Sequence, residues 1–309
     1  HYSNTSNFMP GGIPLLSKAP IELLTVMFVL GFLGFGVKAA VFPFHDWLPT
    51  AGVAPTPVTA LLHAVAVVKA GAFAVIRMSY YCFNPSMMRG TWAQYVCLTL
   101  AMLSILIGSG MAVREQHLKR RLAYSTMSNL SYVLLGAMLL TPQGLQGGLL
   151  HMIYHALMKI SLFSCVGAIM VKTGKSYVED LRGLSRRMPV TMAMFLFCGI
   201  ELVGIPPFIG FQSKWQLATA ALSTGTGMGV AAVVVLLLSA ILTAVYMLVP
   251  GLSAYALPLA PGCGLEERSY DPGWRMLAPL ALLLLVMLVL AFASAPLAEY
   301  LGQVALGLV

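Results

Sequence analysis

The sequence has little charge. Only 9% of its 309 residues are Asp, Glu, Lys or Arg, while 59% are hydrophobic, and a soluble domain needs roughly a quarter of its residues charged to clothe its surface. An ordinary soluble fold is thereby excluded, and a chain embedded in a lipid bilayer is expected. Acidic residues are the scarcest: Asp and Glu total 10 against 18 Lys and Arg, a net charge of +8. The five cysteines, Cys82, Cys97, Cys165, Cys198 and Cys263, stand singly. With no C-x-x-C and no Cys/His cluster, neither a disulfide framework nor an iron-sulfur or zinc site is expected, and the metal expectation is none. There is no G-x-G-x-x-G, no P-loop and no nucleophile elbow, so the chain is expected to carry no cofactor of its own. Its basic balance does not point to nucleic acid. Residues 1–20 lack the basic start and cleavage site of a signal peptide and read as an exposed polar tail.

What the sequence does have is long apolar runs, at about 21–48, 57–77, 93–112, 122–140, 149–171, 190–220, 229–249 and 276–295. Since a spanning helix takes about 20 apolar residues, this makes eight transmembrane helices in an all-α protein. Two runs are long and interrupted. Gly31, Gly34 and Gly36 precede Pro43 in the first, and Gly204, Pro206, Pro207 and Gly210 divide the sixth. Proline frees carbonyls in a helix, and hydrocarbon tolerates free carbonyls only where protein or water lines the gap. Both breaks therefore predict a buried polar path.

Alternating the spans sorts the cations. One side receives Arg114, Lys119, Arg120 and Arg121, then Lys172, Lys175, Arg182, Arg186 and Arg187, then Arg268 and Arg275; the other receives only Lys18, Arg77 and Arg89. The excess of positive charge predicts that the richer side is cytoplasmic and that both termini face outward. Four lysines remain inside spans: Lys38, Lys69, Lys159 and Lys214. A lysine at mid-membrane costs roughly 2.5–3.5 kcal/mol on insertion scales, so each needs a reason. Lys38 and Lys214 adjoin the helix breaks, where satisfying freed carbonyls is the alternative reading, whereas Lys69 and Lys159 sit near the middle of their spans. His63 precedes Lys69 by six residues. His151, His155 and Lys159 recur every four residues, a spacing that keeps all three on one helix face. A desolvated lysine is a switchable proton site, and histidine can accept on one nitrogen and donate from the other. A proton relay is the expected chemistry. The pair His151 and His155 has metal-ligand spacing but no third ligand nearby. Glu201, in the first half of the broken sixth span, reads either as an accessory acid, pairing with Lys214 or joining the relay, or as a cap on the broken half-helix.

Four segments carry a resemblance: GVKAAVFPFHDWLPTAGVAPTPVTALLHAVAVVKAGAFAVIR (36–77), KRRLAYSTMSNLSYVLLG (119–136), HMIYHALMKISLF (151–163) and GIPPFIGFQSKW (204–215). Together, and in this order over nearly all of 21–250, they resemble the proton-translocating antiporter-like subunits. This family comprises the large membrane-arm subunits of respiratory complex I, their counterparts in membrane-bound hydrogenases and formate hydrogenlyases, and the large subunits of Mrp-type sodium/proton antiporters. The resemblance implies a 14-helix fold with two inverted five-helix repeats, each with a broken helix, of which this chain looks like helices seven to fourteen. Residues 21–82 would complete the first repeat, 92–250 would form the second with its broken helix at 190–220, 251–275 would be a cytoplasmic loop, and 276–309 the C-terminal helix and tail. Lys38 matches the lysine of the first broken helix, normally paired with a glutamate two helices earlier. His63 and Lys69 match alternative relay positions on the next helix, and family members often carry only one of them. His151, His155 and Lys159 match the central relay, and Lys214 the charged residue of the second broken helix. Glu201 departs from the pattern, where a small or apolar residue is expected.

The resemblance further implies a proton-moving, non-redox subunit of a redox-driven complex, with iron-sulfur, flavin or nickel-iron centres confined to partner subunits. The expected partners are the bilayer, protons or Na+, and other membrane subunits. Either a separate chain supplies the first six helices and the glutamate facing Lys38, or this chain is part of a longer one. Two alternatives stay open: a gradient-driven subunit of an Mrp-type antiporter or of an ion-driven uptake complex, and a non-conducting scaffold.

Overall fold

The computed structural model describes residues 19–53, 55–259 and 269–309. Nearly all of the expected polar tail with Lys18, and Cys263 and Arg268 of the 251–275 loop, lie outside the described residues. The helices, in chain order, are α1 (Ile21–Lys38), α2 (Trp47–Thr50), α3 (Thr56–Ala64), α4 (Val67–Arg77), α5 (Pro85–Met88), α6 (Trp92–Arg114), α7 (Leu118–Met138), α8 (Pro142–Thr173), α9 (Pro189–Val203), α10 (Ile209–Leu222), α11 (Gly227–Ala256), α12 (Trp274–Phe292) and α13 (Ala295–Leu308). Among the described residues the only extended pairing is an isolated bridge between His117 and Tyr177.

Six segments are long and apolar enough to cross a membrane: Ile21–Lys38, Val58–Cys82, Trp92–Arg114, Pro142–Thr173, Gly227–Ala256 and Trp274–Phe292. The other two of the eight expected spans are α7 and the pair α9 and α10. The two halves of that pair are each too short alone. α7 carries Lys119, Arg120 and Arg121 in its first turn and a run of Ser, Thr, Asn and Tyr beyond. Such a helix belongs inside protein rather than against lipid, and nearly every residue of α7 is buried.

Both expected breaks are present, and their backbone groups find partners. After α1 the chain turns through Ala40, at φ 57°; Val41 N–H donates to Gly36 O at 2.9 Å, Phe42 N–H to Ser104 Oγ at 2.8 Å, and the Trp47 indole N–H to Val37 O at 2.9 Å. A Cβ on Gly71 would lie 2.6 Å from Ala39 N, so glycine there lets α4 press against the break. The second break turns at Gly204, at φ 86°, with Pro206 and Pro207 between the half-helices. Two further interruptions correct the expected spans. The run 57–77 is not continuous, because α3 ends at Ala64 and α4 starts at Val67, placing a break between His63 and Lys69. The last span ends at Phe292, and α13 follows as a separate helix.

The three basic loops meet at one end of the bundle, as alternation of the spans requires. Leu118 N–H donates to Ser176 O and Val178 N–H to Gln116 O, both at 2.9 Å, and Tyr270 N–H donates to Arg187 O at 2.7 Å. The Asp271 carboxylate accepts from the N–H groups of Val190 and Thr191, each at 3.0 Å, which caps the positive end of α9. At the opposite end Arg89 donates to Leu140 O and Gln94 Nε2 to Met138 O at 3.0 Å.

A buried lysine and histidine row at the second broken helix

The central side chains of the bundle come from α8. This helix has 32 residues, about 48 Å at 1.5 Å rise per residue, so its middle turns lie deep in the molecule. His151, His155 and Lys159 are each 0% exposed, as their shared face predicts. The rings of His151 and His155 stack with centroids 6.0 Å apart and planes 9° from parallel. His151 Nδ1 meets Ser213 Oγ of α10 at 2.9 Å. Lys159 Nζ donates to Leu122 O of α7 at 3.1 Å, a carbonyl rather than a carboxylate.

On one flank of α8, His63 of α3 stacks on Phe163 at 5.4 Å and is fully buried, while Lys69 enters from the first turn of α4. The break at Val65 and Ala66 lets both face α8, although a continuous helix would turn residues six apart about 120° away from each other. On the other flank is Lys214 of α10. Its Nζ donates to Leu202 O at 2.7 Å and Val203 O at 3.0 Å, carbonyls freed at the C-terminal end of α9, and lies 5.4 Å from the centre of the Tyr132 ring. The row is electrostatically connected: His63 feels Lys159, His151 feels Lys214 and Lys69, and His155 feels Lys69, Lys159 and Lys214.

Several nitrogens in this row have no hydrogen-bond partner: both of His63, both of His155, Nε2 of His151 and Nζ of Lys69. Buried polar atoms in proteins are almost always satisfied by protein or by ordered water. The described ion pairs, His45 with Asp46, Arg120 with Glu115 and Lys175 with Asp180, involve none of the row. Six of the seven expected relay residues are thus brought together without a fixed counter-charge.

Lys38 is the exception. It ends α1 with an exposed side chain, which corrects the expectation of four buried lysines: α1 packs on one side only, and Leu30, Phe35 and Val37 are exposed beside it. Glu201 is fully buried, but its Oε2 accepts from Gly210 N–H at 3.4 Å, no ion pair joins it to Lys214 among the described residues, and Oε1 has no partner. The two charged residues cap the break reciprocally. Lys214, on α10, covers the negative end of α9, and Glu201, on α9, covers the positive end of α10, each the sign the helix dipole favours. A side chain on Gly210 would collide with Glu201 O, so only glycine admits this approach. Two contributors were not anticipated. Ser213 follows His151 into the row, and Tyr132 sets its ring edge-on to His151 at 5.2 Å. Both lie in the resembling segments, yet neither titrates near neutrality, so charge alone does not single them out.

Among the described residues no group of three His, Cys, Asp or Glu is arranged to hold a metal ion.

Comparison with known proteins shows the family. Residues 12–258 match the family model described as NADH:quinone oxidoreductase/Mrp antiporter, TM. The chain is 36% identical over 270 residues to NADH-quinone oxidoreductase subunit N of Desulforudis audaxviator, covering 85% of this chain and 51% of that protein. It superimposes with a TM-score of 0.81 on a chain of the Mrp complex of Dietzia sp. DQ12-45-1b, at 27% identity over 95% of this chain and 60% of that one. The same TM-score relates it to the archaeal membrane-bound sulfane sulfur reductase, at 26% identity over 95% of this chain and 58% of the other. The chain spans about half the length, or less, of the curated relatives it matches. A bundle with a broken helix at each of two glycine- and proline-rich segments, a central His and Lys row, and a match over 12–258 identify the chain as a member of the NADH:quinone oxidoreductase/Mrp antiporter transmembrane family.

Proposed function

We propose that this chain moves protons, as a non-redox membrane subunit of a larger complex, along the row Lys69 and His63, His155, Lys159, His151 and Lys214. The observation that carries this reading is the set of fully buried basic nitrogens without fixed partners. Each such nitrogen costs free energy unless water reaches it, and a charge on one residue disfavours a charge on the next, so a proton arriving at one end pushes another along. Lys38 belongs to the entry. Its exposed position at the end of α1 is where a helix bearing an acid would pack, whether from a separate chain or from a longer version of this one. The loops carrying Arg114 to Arg121 and Lys172 to Arg187 are assigned to the cytoplasmic face by their charge.

The coverage of subunit N, 85% of this chain, favours a redox-driven complex whose iron-sulfur, flavin or nickel-iron centres belong to partner subunits. The likeness to the Mrp complex supports the competing reading, in which an ion gradient is the driver and Na+ is exchanged for protons. Flavin, iron-sulfur or nickel signals in the purified complex separate the two. The relay itself is tested by Lys159→Met in the assembled complex reconstituted into liposomes. The complex should assemble and its proton flux should fall to the level of empty liposomes; wild-type flux would instead make the chain a non-conducting scaffold.

A further inference from the structure

α7 carries a stripe of polar side chains that the row above does not use. Arg121, Ser125, Ser128 and Tyr132 are spaced by four, three and four residues, which aligns them in one stripe about 16 Å long. α11 presents a matching stripe in Ser239, Thr243 and Tyr246. The two are joined by hydroxyl contacts: Tyr246 OH meets Ser125 Oγ at 2.8 Å and Thr243 Oγ1 at 3.2 Å, and Ser128 Oγ meets Ser239 Oγ at 3.2 Å and Ser109 Oγ of α6 at 2.7 Å. All of these side chains are buried. Asn129 lies alongside Tyr246, and the Tyr132 hydroxyl faces Ser239.

The two ends of this seam differ. At the end nearest the α6–α7 loop Arg121 donates to Glu115 O at 2.8 Å, Tyr246 O at 3.0 Å and Val113 O at 3.3 Å, fastening that loop to α11; the Glu115 carboxylate is in electrostatic reach and offsets the guanidinium charge. At the inner end the Tyr132 ring touches both His151 and Lys214. Two seam atoms make no well-formed hydrogen bond, Asn129 Oδ1 and the Tyr132 hydroxyl, although Asn129 is 1% and Tyr132 0% exposed. Hydroxyls that merely hold helices together are expected to be mutually satisfied, as the serine triad is. Unsatisfied ones beside a relay are expected to hold water.

We propose that the hydroxyl seam between α7 and α11 is a second proton branch, connecting the membrane face that bears residues 115–121 with His151 and Lys214 through Tyr132. It rests on the relay reading above and adds a separate point of access to it. Each oxygen accepts a proton from one neighbour and releases its own to the next, so one proton moves, only O–H bonds are made and broken, and reorientation of the hydroxyls restores the start. Gaps wider than a hydrogen bond are bridged by water.

The test uses the complete complex in liposomes, with proton flux driven by a potassium diffusion potential so that no assumption about the natural driver enters. Tyr132→Phe is the decisive variant, because it removes a hydroxyl that faces Ser239 without a well-formed hydrogen bond and keeps the ring against His151 and Lys214, so a purely structural seam would lose little. Flux should fall about tenfold or more, as when a proton-transfer partner is deleted. Ser239→Ala should behave alike, with Ser239→Thr restoring flux. Ser131→Ala, on α7 but outside the stripe and bonded only to Met127 O, should match wild type. Wild-type flux in Tyr132→Phe together with abolished flux in Lys159→Met overturns the seam and leaves the relay standing; wild-type flux in Lys159→Met overturns both. If Ser239→Ala fails to assemble, Tyr132→Phe still decides.

Discussion

Lys214 both caps a helix and sits in the proposed relay, and substitution separates the two roles. Replacing it with Met deletes two charge-assisted hydrogen bonds, to Leu202 O at 2.7 Å and Val203 O at 3.0 Å. Such bonds are worth about 1.5–3 kcal/mol each, with about 0.3–1 kcal/mol more from the dipole of α9. Against this, Met removes an ammonium whose placement in a membrane interior costs about 2.5–3.5 kcal/mol, and its flexible thioether fills the stem's volume beside Tyr132. The two effects partly offset, leaving a net destabilisation of about 0–4.5 kcal/mol, the upper end of which single substitutions seldom reach. Arg is the complementary probe, since it keeps the charge and the donors but does not release its proton at any accessible pH. Thermal stability in detergent should therefore be lowered for Lys214→Met and close to wild type for Lys214→Arg, while proton flux in liposomes should be lost in both. Wild-type flux through the Arg variant would refute the reasoning, because it would reduce Lys214 to a cap.

Glu201→Gln keeps an acceptor for Gly210 N–H and should retain both assembly and flux, whereas Glu201→Leu should lose about 0.5–2 kcal/mol, as for a deleted N-cap, measured as a lower melting temperature. A flux loss in Glu201→Gln as deep as in Lys159→Met would place the carboxyl in the relay instead. In the loop before α7, burial holds the His117 pKa below its ordinary 6.5, with Glu115 opposing and Lys119 and Arg120 reinforcing the shift. The unfolded loop therefore takes up a proton first, so the docking of this loop onto residues 176–178 should be unaffected above pH 6.5 and weaken as the pH falls below it. Hydrogen-exchange protection factors at the Leu118 and Val178 amides, taken relative to the intrinsic rate at each pH, should fall on acidification in wild type and much less in His117→Gln; identical profiles would remove His117 as the cause.

What could be read from the sequence is what local chemistry encodes. Eight spans follow from apolar run length, and the two principal breaks from glycine next to proline. The shared face of His151, His155 and Lys159 follows from helical period alone. The break between Ala64 and Val67 could not be read, because LLHAVAVVKA contains neither glycine nor proline; the interruption is set by packing against α8, where His63 must reach Phe163. The exposure of Lys38 likewise depends on which neighbours α1 has. Glu201 exposes a further ambiguity: its burial was legible, but whether a buried acid near a lysine pairs with it or caps a helix depends on a few ångströms across the turn at Gly204.

The hydroxyl seam shows the largest gap between pattern and structure. Serines at 109, 128 and 239 are unremarkable on their own helices, and a serine within an apolar span usually returns its hydrogen bond to its own backbone, as Ser104 does with Leu100 O. Their meaning comes from partners 19 to 130 residues away. A polar stripe on a helix buried on every side is the one local clue, since α7 could not sit in a membrane interior unless other helices answered its hydroxyls. That condition makes α7, rather than either broken helix, the element on which the relay and the proposed branch both depend: its Leu122 carbonyl holds Lys159 on one face, while on another its Tyr132 ring touches His151 and Lys214.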